Sequence, residues 1–334
     1  MTGTALAILA SFEAVAGATL LVLLARASAR TGAARRASLA VQPVRPAIQE
    51  ALLTYLTGGN DPARLQAFAR SHRAVFVEEL LAFRGAATGA ARDRLWGLAL
   101  ELAVIHDWCA ASRSPDARAR RAGLERLALA CAHEPCRRVA GELQRRAMED
   151  PDLNVRVAAA RGLAQSDDPQ DLEPVFLLAM DGNLLARALL TEALRPHAAV
   201  LCESMVVEIL RSGDERRVIA ALDMVIAWNR AVPLLELHAL IAGAHEAVRL
   251  RALRALPLVP ATPENIAAAV HAIADAHCEV ALEAIQIAGR LRIELALPDL
   301  ERCARSQAPK IARAAADAIA AIHHAQAIRQ GAAV

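Results

Sequence analysis

One helical pattern returns six times along the second two-thirds of the chain, and few folds accommodate that. Val155, Ala186, Val218, Val248, Val280 and Ile311 are separated by 31, 32, 30, 32 and 31 residues. Four, seven and eight residues after each anchor stands another apolar or small residue, such as Ala159/Gly162/Leu163 after the first and Ala284/Ile287/Ala288 after the fifth. Offsets 0, 4, 7 and 8 trace one face of a 3.6-residue helix. The same buried helix therefore recurs about every 31 residues, which predicts a stacked helical array, an α-solenoid. Leu124, 31 residues before Val155, extends the column backwards with Ala128, Cys131 and Ala132.

Composition agrees with an all-α fold. The 334 residues are 55% hydrophobic but only 3% aromatic, the excess being Ala and Leu. Alanine is the best helix former, and its small side chain lets helices approach closely. No stretch alternates apolar and polar residues in the manner of a strand. The net charge of +2 selects no partner by itself. Lys310 is the only lysine among the basic residues, a bias that we ascribe to a genome rich in G and C. Cys109, Cys131, Cys136, Cys202, Cys278 and Cys303 are scattered through helical segments, mostly beside apolar neighbours. They read as small core residues in a reducing compartment and not as a disulfide framework.

The N-terminus has a different character. Thr4 to Ala25 carries one charge, Glu13, over a length that spans a ~30 Å hydrocarbon core as a helix. Arg26, Arg30, Arg35 and Arg36 follow directly. By the positive-inside rule, residues 1–26 are expected to form a single-pass anchor in the inner or plasma membrane, with the N-terminus outside and the remainder cytoplasmic. Ala27-Ser28-Ala29 resembles a signal-peptide cleavage site, but the segment before the span lacks positive charge and arginines crowd the cut. A buried soluble helix is the third reading; the terminal position and basic flank argue against it. Glu13 shares a face with Ala10 and Gly17, and Ala10, Ala14 and Ala18 form a row of small residues. Two readings stand for this face. Either Glu13 docks against another membrane helix, its own copy included, or it is a protonated side chain tolerated in an anchor. The basic linker 27–45 would lie on anionic lipid or an acidic partner through Arg26, Arg30, Arg35 and Arg36.

Beyond the linker, punctuation by Gly, Pro, Asn and Asp predicts helices at 46–57 and 62–83, an N-terminal helical cap over 46–89 interrupted by Gly85 and Gly89. About seven helical hairpins follow over 90–324: 90–111 with 116–132, 135–148 with 152–164, 170–180 with 183–195, 198–211 with 215–228, 233–243 with 246–257, 263–276 with 279–291 and 297–306 with 309–324. A disordered tail is expected over 325–334. The hairpins resemble short HEAT repeats, the armadillo-like class that includes the phycobilisome-lyase type. The resemblance rests on Asp152-Leu153-Asn154-Val155-Arg156, Asn183-Leu184-Leu185-Ala186-Arg187 and Glu246-Ala247-Val248-Arg249. In that family an Asp or Asn opens the second helix and a Val-Arg pair follows, so the resemblance implies a right-handed α-solenoid. The pair loses its Arg at Val280-Ala281 and Ile311-Ala312, which suggests that the terminal repeats act as caps.

Catalytic and metal signatures are weak. Deoxyhypusine hydroxylases share this architecture, and the resemblance implies four His-Glu pairs holding two irons. Here there are two, His133-Glu134 and His245-Glu246, both at turns before second helices. Cys131, His133 and Cys136 have metal-capable side chains, with His106 and Cys109 on a preceding helix, but no CxxC pair occurs. His323-His324 reads as part of a solvated tail. We find no HExxH, GxSxG, P-loop or dinucleotide-binding motif, so no catalytic, cofactor or metal residue is assigned. Arginines crowd 113–146, an arrangement that some HEAT-like DNA glycosylases use to cradle DNA. The anchor and the near-neutral charge argue against nucleic acid. The expectation is a non-catalytic, membrane-tethered scaffold that presents the concave face of its second helices to a protein partner, such as a membrane enzyme, transporter or signalling protein. The alternatives are a HEAT-architecture enzyme, lyase-like or metal-dependent, and nucleic-acid binding through 113–146.

Overall fold

The computed structural model describes residues 43–59, 61–131, 133–230 and 237–331. Among them every regular element is helical and none is a strand. No described helix is long and apolar enough to cross a membrane. The expected span Thr4–Ala25 lies outside the described residues.

The chain divides into two compact units, one ending at Asp107 and the other beginning at Trp108. The first contains α1 (Arg45–Leu56), α2 (Pro62–Ser71), α3 (Arg73–Ala86) and α4 (Gly89–Glu101). Its core joins Ile48, Leu52, Phe76, Leu80, Leu95 and Trp96. Buried Glu79 is satisfied by Gln49 at 2.7 Å and Arg45 at 2.8 Å. Two expected helices are broken. The 62–83 helix turns at His72 (φ −135°, ψ 44°), and Gly85 remains helical. The 90–111 helix stops where Ala103 takes φ 56°, before α5 (Val104–Ala111). Neither break has a Gly or Pro to announce it. Because α4 packs on α1 and α3, the first unit extends past the expected boundary at residue 89.

In the second unit the repeated helices are α6 (Ala117–Ala130), α8 (Leu153–Leu163), α10 (Leu184–Leu194), α13 (Glu215–Trp228), α15 (Glu246–Ala255), α17 (Cys278–Leu291) and α19 (Pro309–Gly331). Each packs on the next. Between them lie the first helices of the hairpins: α7 (Glu134–Ala147), α9 (Pro169–Asp181), α11 (Ala198–Leu201) with α12 (Val207–Arg211), α14 (His238–Ile241), α16 (Pro263–His271) and α18 (Leu297–Ala304). The expected 198–211 helix is interrupted by a π-turn at Cys202–Val206.

The apolar column is the core. Val155, Ala186, Val218, Val248 and Val280 are all buried, as are Leu190, Leu222, Ala252 and Ala284 four residues on. Ile311, on the last second helix, is half-buried because no further helix follows among the described residues. Burying a leucine fully contributes about 2 kcal/mol, so the repeated offsets carry most of the folding drive. Asp116, Asp152, Asn183 and Asp214 open their helices by accepting from backbone N–H groups one turn on. At its far end α19 continues to Gly331 with Ala325 buried, so residues 325–331 are helical, not a disordered tail.

Candidate functional site

Two sides of the second helices carry polar chemistry, and the turn side is used to join repeats. Arg249 donates from Nε and Nη2 to Asp275 of the next repeat at 2.8 and 3.0 Å, and from Nη1 to the carbonyls of Gly243 and Ala244. Arg120 makes the same set with Asp150 (2.7 and 3.0 Å), Ser114 and Pro115. Arg156 reaches the carbonyls of Asp150 and Pro151. This is what the Arg of the Val-Arg pair does. Because Arg120 matches Arg156 and Arg249, Ala119 and not Leu124 is the counterpart of Val155. Leu124 nonetheless packs beside Val155.

The clasp shapes the acidity of these carboxyls. The Arg120 hydrogen bonds hold the Asp150 carboxyl below its usual range against the effect of burial. Burial pushes Asp275 up, but Arg249, the His277 backbone N–H and the neighbouring positive charges together bring it below its usual range. Arg217 extends the pattern differently, gripping Asp181 of the preceding repeat at 2.9 and 2.8 Å. Arg187 is the exception. The next repeat offers it Ser212 in place of an acid, and its buried Nε has no partner among the described residues.

The His-Glu pair at 245–246 also joins repeats. His245 Nδ1 lies 3.2 Å from Glu215 of the repeat before, and Glu246 lies 3.0 Å from His277 of the repeat after. Among the described residues no three His, Cys, Asp or Glu side chains converge to hold a metal ion. Cys109, Cys136 and Cys202 are buried as small core residues. Burial pushes the thiols of Cys136 and Cys202 up to about 11, which keeps them protonated and unreactive. Cys278 departs from the expectation: it is exposed at the start of α17.

The other polar side runs along the outward face of the second helices, and here one helix differs. On α13, α15 and α17 this face is laced by Asp223–Arg251 and Arg254–Glu283, each at 2.9 Å. On α10 it is apolar: Leu184 is 80% exposed, Leu185 66% and Leu189 38%. In the register of Leu185 the other anchored helices place Asn154, Arg217, Ala247, Glu279 and Lys310. In the register of Leu189, α15 and α17 place the ion-pairing Arg251 and Glu283. Arg161 shares Arg254's register, and Leu189 shares that of Glu283, the partner of Arg254. Beside the leucines a depression of about 340 Å³ opens between α10 and α13, floored by Ala188, Met224 and Ala227 and rimmed by Arg187, Arg195 and Asp223. Scattered exposed leucines are ordinary; three contiguous ones on a repeated face make a candidate contact surface. The Leu185 column shows this in the sequence, with Asn154, Arg217, Glu279 and Lys310 in other repeats, whereas in the Leu189 column α8, α13 and α19 carry alanine.

Four of the arginines of 113–146 meet carboxylates. Arg120 holds Asp150, Arg145 holds Asp171 at 2.8 Å, and Arg121 and Arg138 lean on Glu125 and Glu142 one turn on. The residues expected at a membrane, Ala10, Glu13, Ala14, Gly17, Ala18, Arg26, Arg30, Arg35 and Arg36, lie outside the described residues.

No protein-family model matches the chain, and no curated protein matches it. Among solved structures it is similar to an engineered protein of a structural genomics consortium, at 16% identity over 82% of this chain and 84% of that one, with a TM-score of 0.37. It is also similar to human deoxyhypusine hydroxylase in complex with glycerol, at 15% identity over 86% of this chain and 98% of that one, with a TM-score of 0.30.

Proposed function

We propose that the chain is a non-catalytic adaptor of HEAT-like repeats, tethered to a membrane by residues 1–26, that receives a protein partner on its second-helix face. The observation that carries this reading is the exposed apolar cluster Leu184, Leu185 and Leu189 on α10, on a face that ion pairs lace on α13, α15 and α17. The partner surface that fits is an amphipathic helix: apolar side chains for the leucines and the adjoining depression, with an acidic residue for Arg161. The run Thr4–Ala25, with Glu13 its single charge, and the arginines after it support the tether.

The test uses the full chain in detergent-solubilised membranes, as wild type and as a Leu185→Asp/Leu189→Asp double variant. Both positions are exposed, so the fold should survive. A photo-crosslinking residue at position 185 should trap the same protein that wild type retains and the double variant loses. Identical co-purifying proteins on both forms, or a crosslink to nothing but lipid, would sink the proposal.

A further inference from the structure

A second, separate cavity lies among α6, α7, α8 and α9, with a volume of about 270 Å³. Gln144 on α7 enters its wall and is 1% exposed. Its Oε1 accepts from the Cys131 thiol at 3.6 Å, which orients the amide; its Nε2 has no partner among the described residues. The sequence departs from its own repeat to seat this group. Seven residues after the anchor, the other second helices carry Ala193, Val225, Ala255, Ile287 and Ala318, whereas α8 has Gly162. A Cβ at Gly162 would fall 2.0 Å from Gln144 Nε2. Space has been cleared for a buried donor that no described residue accepts from, which is costly unless something else does.

The cavity's charge says what accepts. Arg137, Arg138 and Arg145 line it, against Asp168 and Asp171. Both carboxylates are engaged, Asp171 by Arg145 and Asp168 by the Gln170 N–H at the start of α9. Arg138 is 91% exposed and reaches Glu142 only at 3.8 Å. Ser166 accepts from the Asp168 N–H, which leaves its hydroxyl proton to donate. An excess of positive charge, a buried amide donor and a hydroxyl together suit an oxyanion. The volume is roughly nine times a water's ~30 Å³ share of the liquid, more than four oxygens need. We propose that this cavity binds a phosphate monoester, its phosphate held by Gln144 and Arg138 beside Arg137 and Arg145, with a small organic body filling the remainder.

The site is independent of the adaptor surface, and its test involves no partner. The full chain is titrated at constant ionic strength with glycerol 3-phosphate, inorganic phosphate and acetate, with calorimetry, thermal unfolding and the side-chain amide resonances of Gln144 as readouts. Glycerol 3-phosphate should raise the midpoint saturably and shift the Gln144 amide signals. Inorganic phosphate should bind at least tenfold more weakly, and acetate should have no effect. Arg138→Ala should weaken binding at least tenfold. Gln144→Leu should melt no lower than wild type without ligand, because an unpaired donor is gone, and should lose the ligand-induced rise. Equal affinity for inorganic phosphate overturns the organic body, and equal affinity for acetate overturns the phosphate. A Gln144→Leu variant that responds like wild type overturns the site.

Discussion

The stretch α13–α15–α17 and the stretch α8–α10 are built on the same core but finished differently outside. In the first, Asp223–Arg251 and Arg254–Glu283 tie each second helix to the next across the outward face. In the second, Leu189 stands in the register of Arg251 and Glu283, with Leu185 exposed beside it. Exposed ion pairs of this kind contribute little stability, ~0–1 kcal/mol each. Their effect is to leave a face already satisfied, with nothing to offer a partner. The α10 face leaves apolar area in water that can be buried later. A repeat protein can thus vary binding without touching folding, since the two faces of one helix answer to different demands.

That contrast can be broken at several depths. Leu190→Ala and Leu222→Ala, one in each stretch, should each cost about 3 kcal/mol in denaturant unfolding. A large inequality would mean that the cores are not equivalent. Gly289→Ala should cost about 2 kcal/mol by overpacking, because its Cβ would lie 2.8 Å from the Ala318 Cα, a backbone atom that cannot turn aside. At Gly162 the obstruction is only the Gln144 amide, so Gly162→Ala should cost less in the same assay.

The clasps give a pH signature. Asp150 and Asp275 titrate below the ordinary carboxylate value, so their contribution is present above about pH 4 and disappears as pH falls through their lower folded values. Asp275→Asn should therefore lower the thermal midpoint at pH 6, and the gap to wild type should shrink on acidification below pH ~4. A gap that persists would show that the pair matters for shape and not for charge. The smallest effect sharpens the comparison most. Leu189→Glu places a carboxylate in the register of Glu283 and should change stability by no more than ~0.5 kcal/mol, while removing capture of the proposed partner.

How much of this was legible follows from which forces act locally. The buried column at offsets 0, 4, 7 and 8 was readable because core burial repeats with helical period and tolerates little variation. Helix starts at Asp152 and Asn183 were readable because capping is chemistry within one turn. The breaks at His72 and Ala103 were not, since tertiary packing bends the chain there without glycine or proline. The clasps needed a register between turns that apolar offsets do not report, which is why Leu124 stood in for Ala119. Leu184 and Leu185 belong to the stretch that resembles the family, and only the polar residues in the Leu185 column of the other helices set that leucine apart.

One joint has a consequence for how such an array can grow. His245 reaches back to Glu215, and Glu246 reaches forward to His277. The stretch from Glu246 to His277 therefore contains both halves of one fastening, acceptor at its start and donor at its end. A copy of that stretch placed after His277 would arrive with its own fastening complete and leave the original undisturbed. The molecule carries within this segment a unit whose turn-side fastening can be repeated whole, while on the outward face Arg254 would meet the copy's Arg251 in place of Glu283.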